Sequence, residues 1–271
     1  MKAFNPSPGL GFAPGAFAVA ACLLLVVPHF VVALVSFDPS PAALFPPAGF
    51  SFRWYLNAFA RPAFREALLL SLLVGMASAA IAVVAGTAAS YLVVRHRFPG
   101  RGVVITLLQL PMMIPEVVLG LGFLILFSQA RMYISTLNIL LAHAVITLPY
   151  AVRVVMAALQ TTARSQEEAA YVLGAGPFTT FRKVTLPAIR PGMIAAGVFA
   201  FVVSFDNFTV TSFLVTTRGT LPIEIYAYIR TESDPTVAAI STLLILVSLA
   251  GLLISERVMG IGRITSGGMS R

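Results

Sequence analysis

Between Ala67 and Val94 the chain runs for 28 residues without one charged side chain. A helix rises 1.5 Å per residue, so about 20 apolar residues cross a hydrocarbon layer of about 30 Å. Water cannot satisfy backbone amides in that layer, and such a run must be helical. Six segments meet the criterion, at roughly 15–37, 67–94, 102–129, 132–152, 189–217 and 235–255. Hydrophobic residues are 58% of the 271 and charged residues 10%, against about 25% charged in a soluble domain. Mean hydropathy is +0.93. The expectation is an all-α, six-span membrane protein, with residues 1–271 forming a single transmembrane domain. The first segment is too long for a signal peptide and lacks a small-residue cleavage site, so it reads as a retained span.

Loop charge sets the expected orientation. Counting inward from a cytoplasmic amino terminus, the inner set is Lys2, Arg95, Arg97, Arg101, Arg153, Arg164, Arg182, Lys183, Arg190, Arg257, Arg263 and Arg271. The outer set is Arg53, Arg61, Arg65, Arg131, Arg218 and Arg230. Twelve against six puts both termini in the cytoplasm. Because these cations border spans instead of forming one patch, the net charge of +8 reads as topology and not as nucleic-acid binding.

Small residues recur along the second span, as Ser71, Gly75, Ala79 and as Ala82, Gly86, Ser90, a ridge that lets helices approach closely in lipid. The segment FSFRWYLNAF (50–59) suggests an amphipathic helix at the outer interface, with Trp54 and Tyr55 at headgroup depth. PSPAALFPP (39–47) reads as a stiff outer loop. Cys22 is the single cysteine and reads as a small buried hydrophobe. His143 has no His, Cys or carboxylate nearby at ligand spacing, so it reads as a buried hydrogen-bonding residue and no metal site is expected.

The longest inner loop, 164–187, holds EEAAYVLGAGPFTTFRKVTLP. Ser165 with Glu168 fits a capping box that opens a short helix. Gly174 fits a left-handed stop, and Pro177 suits the first position of a second helix. Pro187 then breaks the pattern before the fifth span. A helix–turn–helix of this kind serves either as a docking surface or as an amphipathic loop lying at the inner interface.

The spacing resembles the EAA loop of ABC-transporter permeases: Glu168-Ala169-Ala170, three residues, Gly174, nine residues, Val184, then Leu186-Pro187. The likeness extends over most of the chain toward permeases of the spermidine/putrescine type, through the outer FSFRWY segment and SFDNFTVTSFLVTTRGTLPIEIY (204–226). It implies a type I importer-like permease of a bacterial inner membrane whose loop inserts into a groove on a cytoplasmic ATP-binding subunit. Glu168, Ala169, Ala170, Gly174, Leu186 and Pro187 carry that implied contact. A second permease subunit and a periplasmic or extracellular solute-binding protein complete the implied assembly. ATP and Mg²⁺ are implied on the partner subunits, with no cofactor and no enzymatic site in this chain. In agreement, neither lysine lies in a phosphate-cradling G-x-x-x-x-G-K-[ST] loop.

Glu116 and Asp206 are the charges placed well inside predicted spans. A central charge costs about 2.5–3.5 kcal/mol on insertion scales, so it faces a cavity or a partner. Pro111 and Pro115 are expected to kink the third span beside Glu116. Asp206, Asn207 and Thr209 make the fifth span polar, and with Glu116 they form a candidate path for a cationic solute. Either carboxylate could instead meet a partner's arginine or a helix terminus. Asp206-Asn207 departs from the acidic pair that would better match polyamine-type permeases, and related permeases are associated with opines or aminoethylphosphonate. Two other classes stay open: an ion-coupled secondary transporter using Glu116 and Asp206, and an intramembrane enzyme using Asp206 and His143. The outer residues Arg218, Glu224, Arg230, Glu232 and Asp234 are candidates for the binding-protein contact or a solvated loop.

Overall fold

Apolar periodicity becomes helix throughout, and no strand occurs among the described residues of the computed structural model, 12–42 and 45–259. Lys2, Arg263 and Arg271 of the orientation count, and residues 43–44 of the proline-rich loop, lie outside them. The helices are α1 (Phe12–Val35), α2 (Arg53–Ala60), α3 (Pro62–Arg95), α4 (Arg101–Met113), α5 (Glu116–Gln129), α6 (Ser135–Thr161), α7 (Arg164–Val172), α8 (Pro177–Thr180), α9 (Leu186–Phe205), α10 (Thr209–Leu214), α11 (Leu221–Ile229) and α12 (Thr236–Met259). Among the described residues, five helices are long and apolar enough to cross a membrane, or six when α4 and α5 count as one bent span. The chain is a multi-pass membrane protein.

Two units divide the chain. One comprises the described residues up to Arg61 together with Ala227–Leu246. In it α2 is held by polar contacts at its start and its end. The Trp54 indole N–H donates to the Asp38 carbonyl at 2.6 Å, and Tyr55 shares a 2.7 Å hydrogen bond with Ser36. Trp54 is 4% exposed, so the expected interfacial tryptophan is instead a buried anchor. Its N–H finds a carbonyl inside the chain, and the outward apolar stripe is Phe52, Leu56 and Phe59. Further along, Asn57 donates to Thr236 at 2.9 Å. The Arg61 guanidinium lies over the Tyr228 ring and 3.8 Å from Glu232.

The other unit, from Pro62 to Tyr226 and from Val247 onward, is organised by α3, α6 and α9, which pack on one another. Ala79, Ala82, Ala151, Val155, Leu159, Ile189, Ala196 and Ala200 form its core. The small-residue ridge of α3 faces inward along its whole length, from Ser71 to Ser90. A Cβ at Gly86 would come within 3.1 Å of the Ala151 Cβ, and one at Gly192 would collide with Ala158. Hydrophobic surface area drives no association in lipid, so this close backbone approach is the packing that holds the bundle. A second cluster, including Val74, Phe127, Ile139, Ala142 and Val210, joins α3, α5, α6 and α10.

Two predicted spans depart from continuity. Segment 102–129 bends by 102° between α4 and α5. Pro111 stays inside α4, whereas Ile114 before Pro115 is extended, with φ −90° and ψ 132°. The second proline ring disfavours helical geometry at Ile114 and supplies no amide of its own, so the break falls there. Segment 189–217 also does not continue: α9 stops at Phe205 and the short α10 starts at Thr209.

Candidate functional site

The loop between α6 and α9 is built as a helix, a stop and a second helix. Helix α7 ends at Val172 with Leu173 at its cap, followed by Gly174 with φ +83°. The Gly174 N–H donates to the Tyr171 carbonyl at 2.9 Å and the Ala175 N–H to the Ala170 carbonyl at 3.0 Å. These paired bonds close a Schellman end, which a residue with a Cβ would strain at the left-handed position. Pro177 opens α8, as its fixed φ favours.

Two local expectations are overturned. Ser165 does not cap α7: the helix starts one residue earlier, at Arg164, with Ala163 at the cap position and no side-chain cap bond. Thr162 and Ala163 leave a connection of two residues after α6, which places Ser165 inside the first turn. Pro187 does not end the pattern either. Residues Phe181–Thr185 form a π-helical turn that leads directly into α9, with Pro187 in its first turn. The widened turn shifts bonding to i→i+5, as in Leu186 N–H to the Phe181 carbonyl. That spares the bond and relieves the clash a proline would impose on an α-helix.

Glu167 and Glu168 are neighbours, but successive helical residues point about 100° apart. Glu168 is exposed and pairs with Arg164 one turn back at 3.4 Å, both side chains being nearly two-thirds exposed. Glu167 is 4% exposed. Its Oε1 accepts from the Arg95 Nε–H at 2.9 Å and from the Thr185 hydroxyl at 3.0 Å, while Arg95 Nη2 donates to the Thr162 carbonyl at 3.4 Å. One carboxylate thus ties α7 to the end of α3 and to the π turn. Ala169, Gly174 and Pro187 are exposed; Ala170 and Leu186 are half-buried. Val172 and Leu173, each 88% exposed, and Phe178, 74% exposed, make the outer side of the loop apolar.

The second set of predicted residues gathers where the two broken spans meet. Helix α5 packs on α10, and the Asn207 Nδ2–H donates to Glu116 Oε2 at 3.1 Å. Glu116 is the first residue of α5, where the amide dipoles favour a negative charge. The Asn207 Oδ1 accepts from the Val210 N–H at 3.0 Å and so caps α10. Asp206 sits at the C-terminal cap of α9 and is exposed. Its carboxylate makes no hydrogen bond or ion pair with another described residue. The two carboxylates are therefore not a pair: Glu116 is matched to Asn207, and Asp206 is exposed at the break. Thr209 is half-buried and starts α10.

Behind this junction lies a buried chain of hydroxyls centred on His143. The Thr211 hydroxyl donates to the Asn207 carbonyl at 3.0 Å, so its oxygen accepts from His143 Nε2–H at 2.9 Å. Nδ1 is left to accept from Ser204 at 2.7 Å, and Ser204 accepts from Ser78 at 2.9 Å. A neutral imidazole with its proton on Nε2 fits that order, with the one Ser78 hydroxyl proton shared between Ser204 and the Gly75 carbonyl. His143 thus joins α3, α6, α9 and α10 at the break.

Sequence reasoning missed Arg95, Glu167 and Thr185, whereas His143 is the buried hydrogen-bonding residue expected of it. The adjacent glutamates were the available signal for the first three, since one face of a short helix cannot hold both.

Comparison with known proteins supplies a common description. Residues 78–261 match the family model for the binding-protein-dependent transport system inner membrane component. The chain is 29% identical over 248 residues to the spermidine/putrescine transport system permease protein PotC of Haemophilus influenzae, covering 91% of this chain and 96% of that one. It is 32% identical over 229 residues to the putrescine transport system permease protein PotI of Escherichia coli K12, covering 82% and 81%. Among solved structures, a bacterial ABC transporter that imports the acidic polysaccharide alginate superposes with TM-score 0.66 at 14% identity, over 98% of this chain and 100% of that one. The MetNI methionine ABC transporter in inward-facing form gives 0.59 at 20% identity, over 72% and 96%.

Proposed function

Because this chain belongs to the family of binding-protein-dependent transport system inner membrane components and is a permease subunit of an ABC importer, we propose that it moves a polyamine, such as putrescine or spermidine, into the cytoplasm. The observation that carries the substrate class is the similarity to spermidine/putrescine permeases over nine-tenths of the chain. The exposed Asp206 carboxylate at a helix break, and the Glu116–Asn207 pair beside it, support a path for a cationic solute. Polar groups at membrane depth are tolerated where broken backbone lines a cavity. Asp206, Asn207, Thr209 and Glu116 are the proposed lining.

The loop 164–187 is the proposed contact with a cytoplasmic ATP-binding subunit, through Glu168, Ala169, Ala170 and Gly174, with Leu186 and Pro187 setting its return into the bundle. The outward apolar residues Val172, Leu173 and Phe178 support that reading, since such a patch fits a partner's groove. The partner subunits bind and hydrolyse ATP. A second permease completes the path, and a binding protein delivers the solute from outside. Both termini then lie in the cytoplasm, and the membrane is the bacterial inner membrane.

Uptake of labelled putrescine and spermidine, in cells with and without this gene and no other polyamine importer, tests the reading. Loss of ATP-dependent uptake on deletion, restored by the wild-type gene and restored with weakened solute affinity by Asp206→Asn, is the expected result. Uptake unaffected by deletion removes the polyamine assignment. Uptake that survives ATP depletion would instead indicate an ion-coupled transporter.

A further inference from the structure

The buried contact between Arg95 and Glu167 does something the exposed face of the loop cannot. Side-chain exposure is 9% for Arg95 and 5% for Glu167, so neither group is available to a docking partner. Arg95 is the last residue of α3, a helix of 34 residues and hence about 51 Å long. Its guanidinium is divided between Glu167 on α7 and the Thr162 carbonyl at the end of α6. The same Glu167 oxygen takes the Thr185 hydroxyl from the π turn. The Phe181 ring of that turn meets Tyr91, one turn earlier on α3, edge-on at 4.8 Å. Four segments therefore converge on one ion pair, α7 and the π turn at the carboxylate and the ends of α3 and α6 at the guanidinium.

Farther along, α3 makes further polar bonds to its unit, beginning with the Ser90 hydroxyl, which donates to the Val152 carbonyl of α6 at 3.1 Å. Ser78 donates to Ser204, two residues before the α9–α10 break, and the Leu221 N–H donates to Ser71 at 2.7 Å. From Arg95 to Ser78 is 17 residues, or about 26 Å along the axis. A stiff helix pinned at both places is a path by which displacement of the loop reaches the break that bears Asp206.

We infer that Arg95 and Glu167 are positioning residues for energy coupling: they clamp α7 to α3 so that the two move as one body when nucleotide acts on the loop. The inference rests on the importer reading above, but not on the identity of the solute. A loop held by chain connectivity alone would tilt about its two ends and dissipate the displacement locally. The clamp couples it to α3 instead. The amide of Glu167→Gln keeps an oxygen for Arg95 and Thr185 and loses only charge, whereas Glu167→Ala removes the clamp.

The test uses the complete complex with its ATP-binding subunits in nanodiscs, with Cys22→Ser and nitroxides at Leu92→Cys on α3 and Gln166→Cys on α7, outside the docking patch. Pulsed dipolar spectroscopy reads their separation with and without ATP. With native Glu167 the distance is expected to be narrow and independent of nucleotide. In Glu167→Ala it should broaden and become nucleotide-dependent, with ATPase subunits still bound, ATP still hydrolysed, and solute moved per ATP down about tenfold. Glu167→Gln should retain the narrow distance and most of the transport. A nucleotide-dependent distance with native Glu167, or an unchanged one in Glu167→Ala, overturns the clamp. So does loss of the ATPase subunits from Glu167→Ala, which would make Glu167 a docking residue. Absence of solute uptake by the parent complex alongside a rigid distance would count against the proposed solute and leave the clamp standing.

Discussion

Replacing His143 by phenylalanine isolates the polar part of the junction behind the two helix breaks. The imidazole is fully buried and bonds one hydroxyl on α9 and one on α10. A phenyl ring occupies similar space but accepts nothing from Ser204 and donates nothing to Thr211. Interhelical hydrogen bonds in membranes average about 0.6 kcal/mol and reach about 1.7, so losing two costs about 1–3 kcal/mol. Thr211 keeps its bond to the Asn207 carbonyl, which limits the loss at that end. His143→Ala removes the same two bonds and the ring volume as well. Large-to-small changes at closed sites cost about 2–5 kcal/mol, so alanine should be the worse variant by at least about 1 kcal/mol. Equilibrium unfolding of the purified protein in mixed micelles of increasing SDS, followed by helical circular dichroism, gives both differences. Wild-type stability in His143→Phe would refute the hydrogen-bond account, and equal losses in the two variants would refute the close packing around the ring.

Gly192→Ala should destabilise the bundle by about 1–3 kcal/mol, because its Cβ would collide with that of Ala158 on α6. Combining it with Ala158→Gly should recover most of the loss in the same unfolding assay; additive losses would show that the helices do not approach there. The Asp234 carboxyl offers a pH test outside the spans. Burial pushes its pKa up, but the Thr236 hydroxyl and N–H, the Tyr228 hydroxyl and the Arg61 charge outweigh burial and hold it below the ordinary 3.8. A depressed folded-state pKa gives stability that is complete above the unfolded value and lost as pH falls through the folded one. The melting difference between wild type and Asp234→Asn should therefore be constant above about pH 5 and shrink below about pH 4. A difference that persists in acid would refute the assignment.

What could be read in advance follows from which interactions are local. Apolar runs mark their own helices, and Gly174 marks its own stop, since only a residue tolerant of positive φ closes that end cheaply. The α4–α5 bend was legible as a kink but not in size: Pro111 and Pro115 look alike in sequence, and only Pro115 coincides with an extended preceding residue. The end of α9 at Phe205 was hidden because no proline or glycine marks it. It is held instead by Asn207, whose two bonds run to Glu116, 91 positions away, and to Val210. Arg95 and Glu167 are likewise 72 positions apart, and no spacing rule connects them. The inward turn of Trp54 was hidden for a related reason. An aromatic beside an arginine has the composition of an interfacial belt, and only the Asp38 carbonyl explains why it turns inward.

The two adjacent glutamates have a consequence for how such a surface changes over time. Glu167 and the Schellman end hold the shape of the loop with groups that face inward or belong to the backbone. Glu168, Val172, Leu173 and Phe178 face outward and carry none of that duty. Exchange of Val172, Leu173 or Phe178 leaves that scaffold intact, so the surface offered to the proposed partner can change apart from the fold beneath it. The inward set is bound to change in concert or not at all.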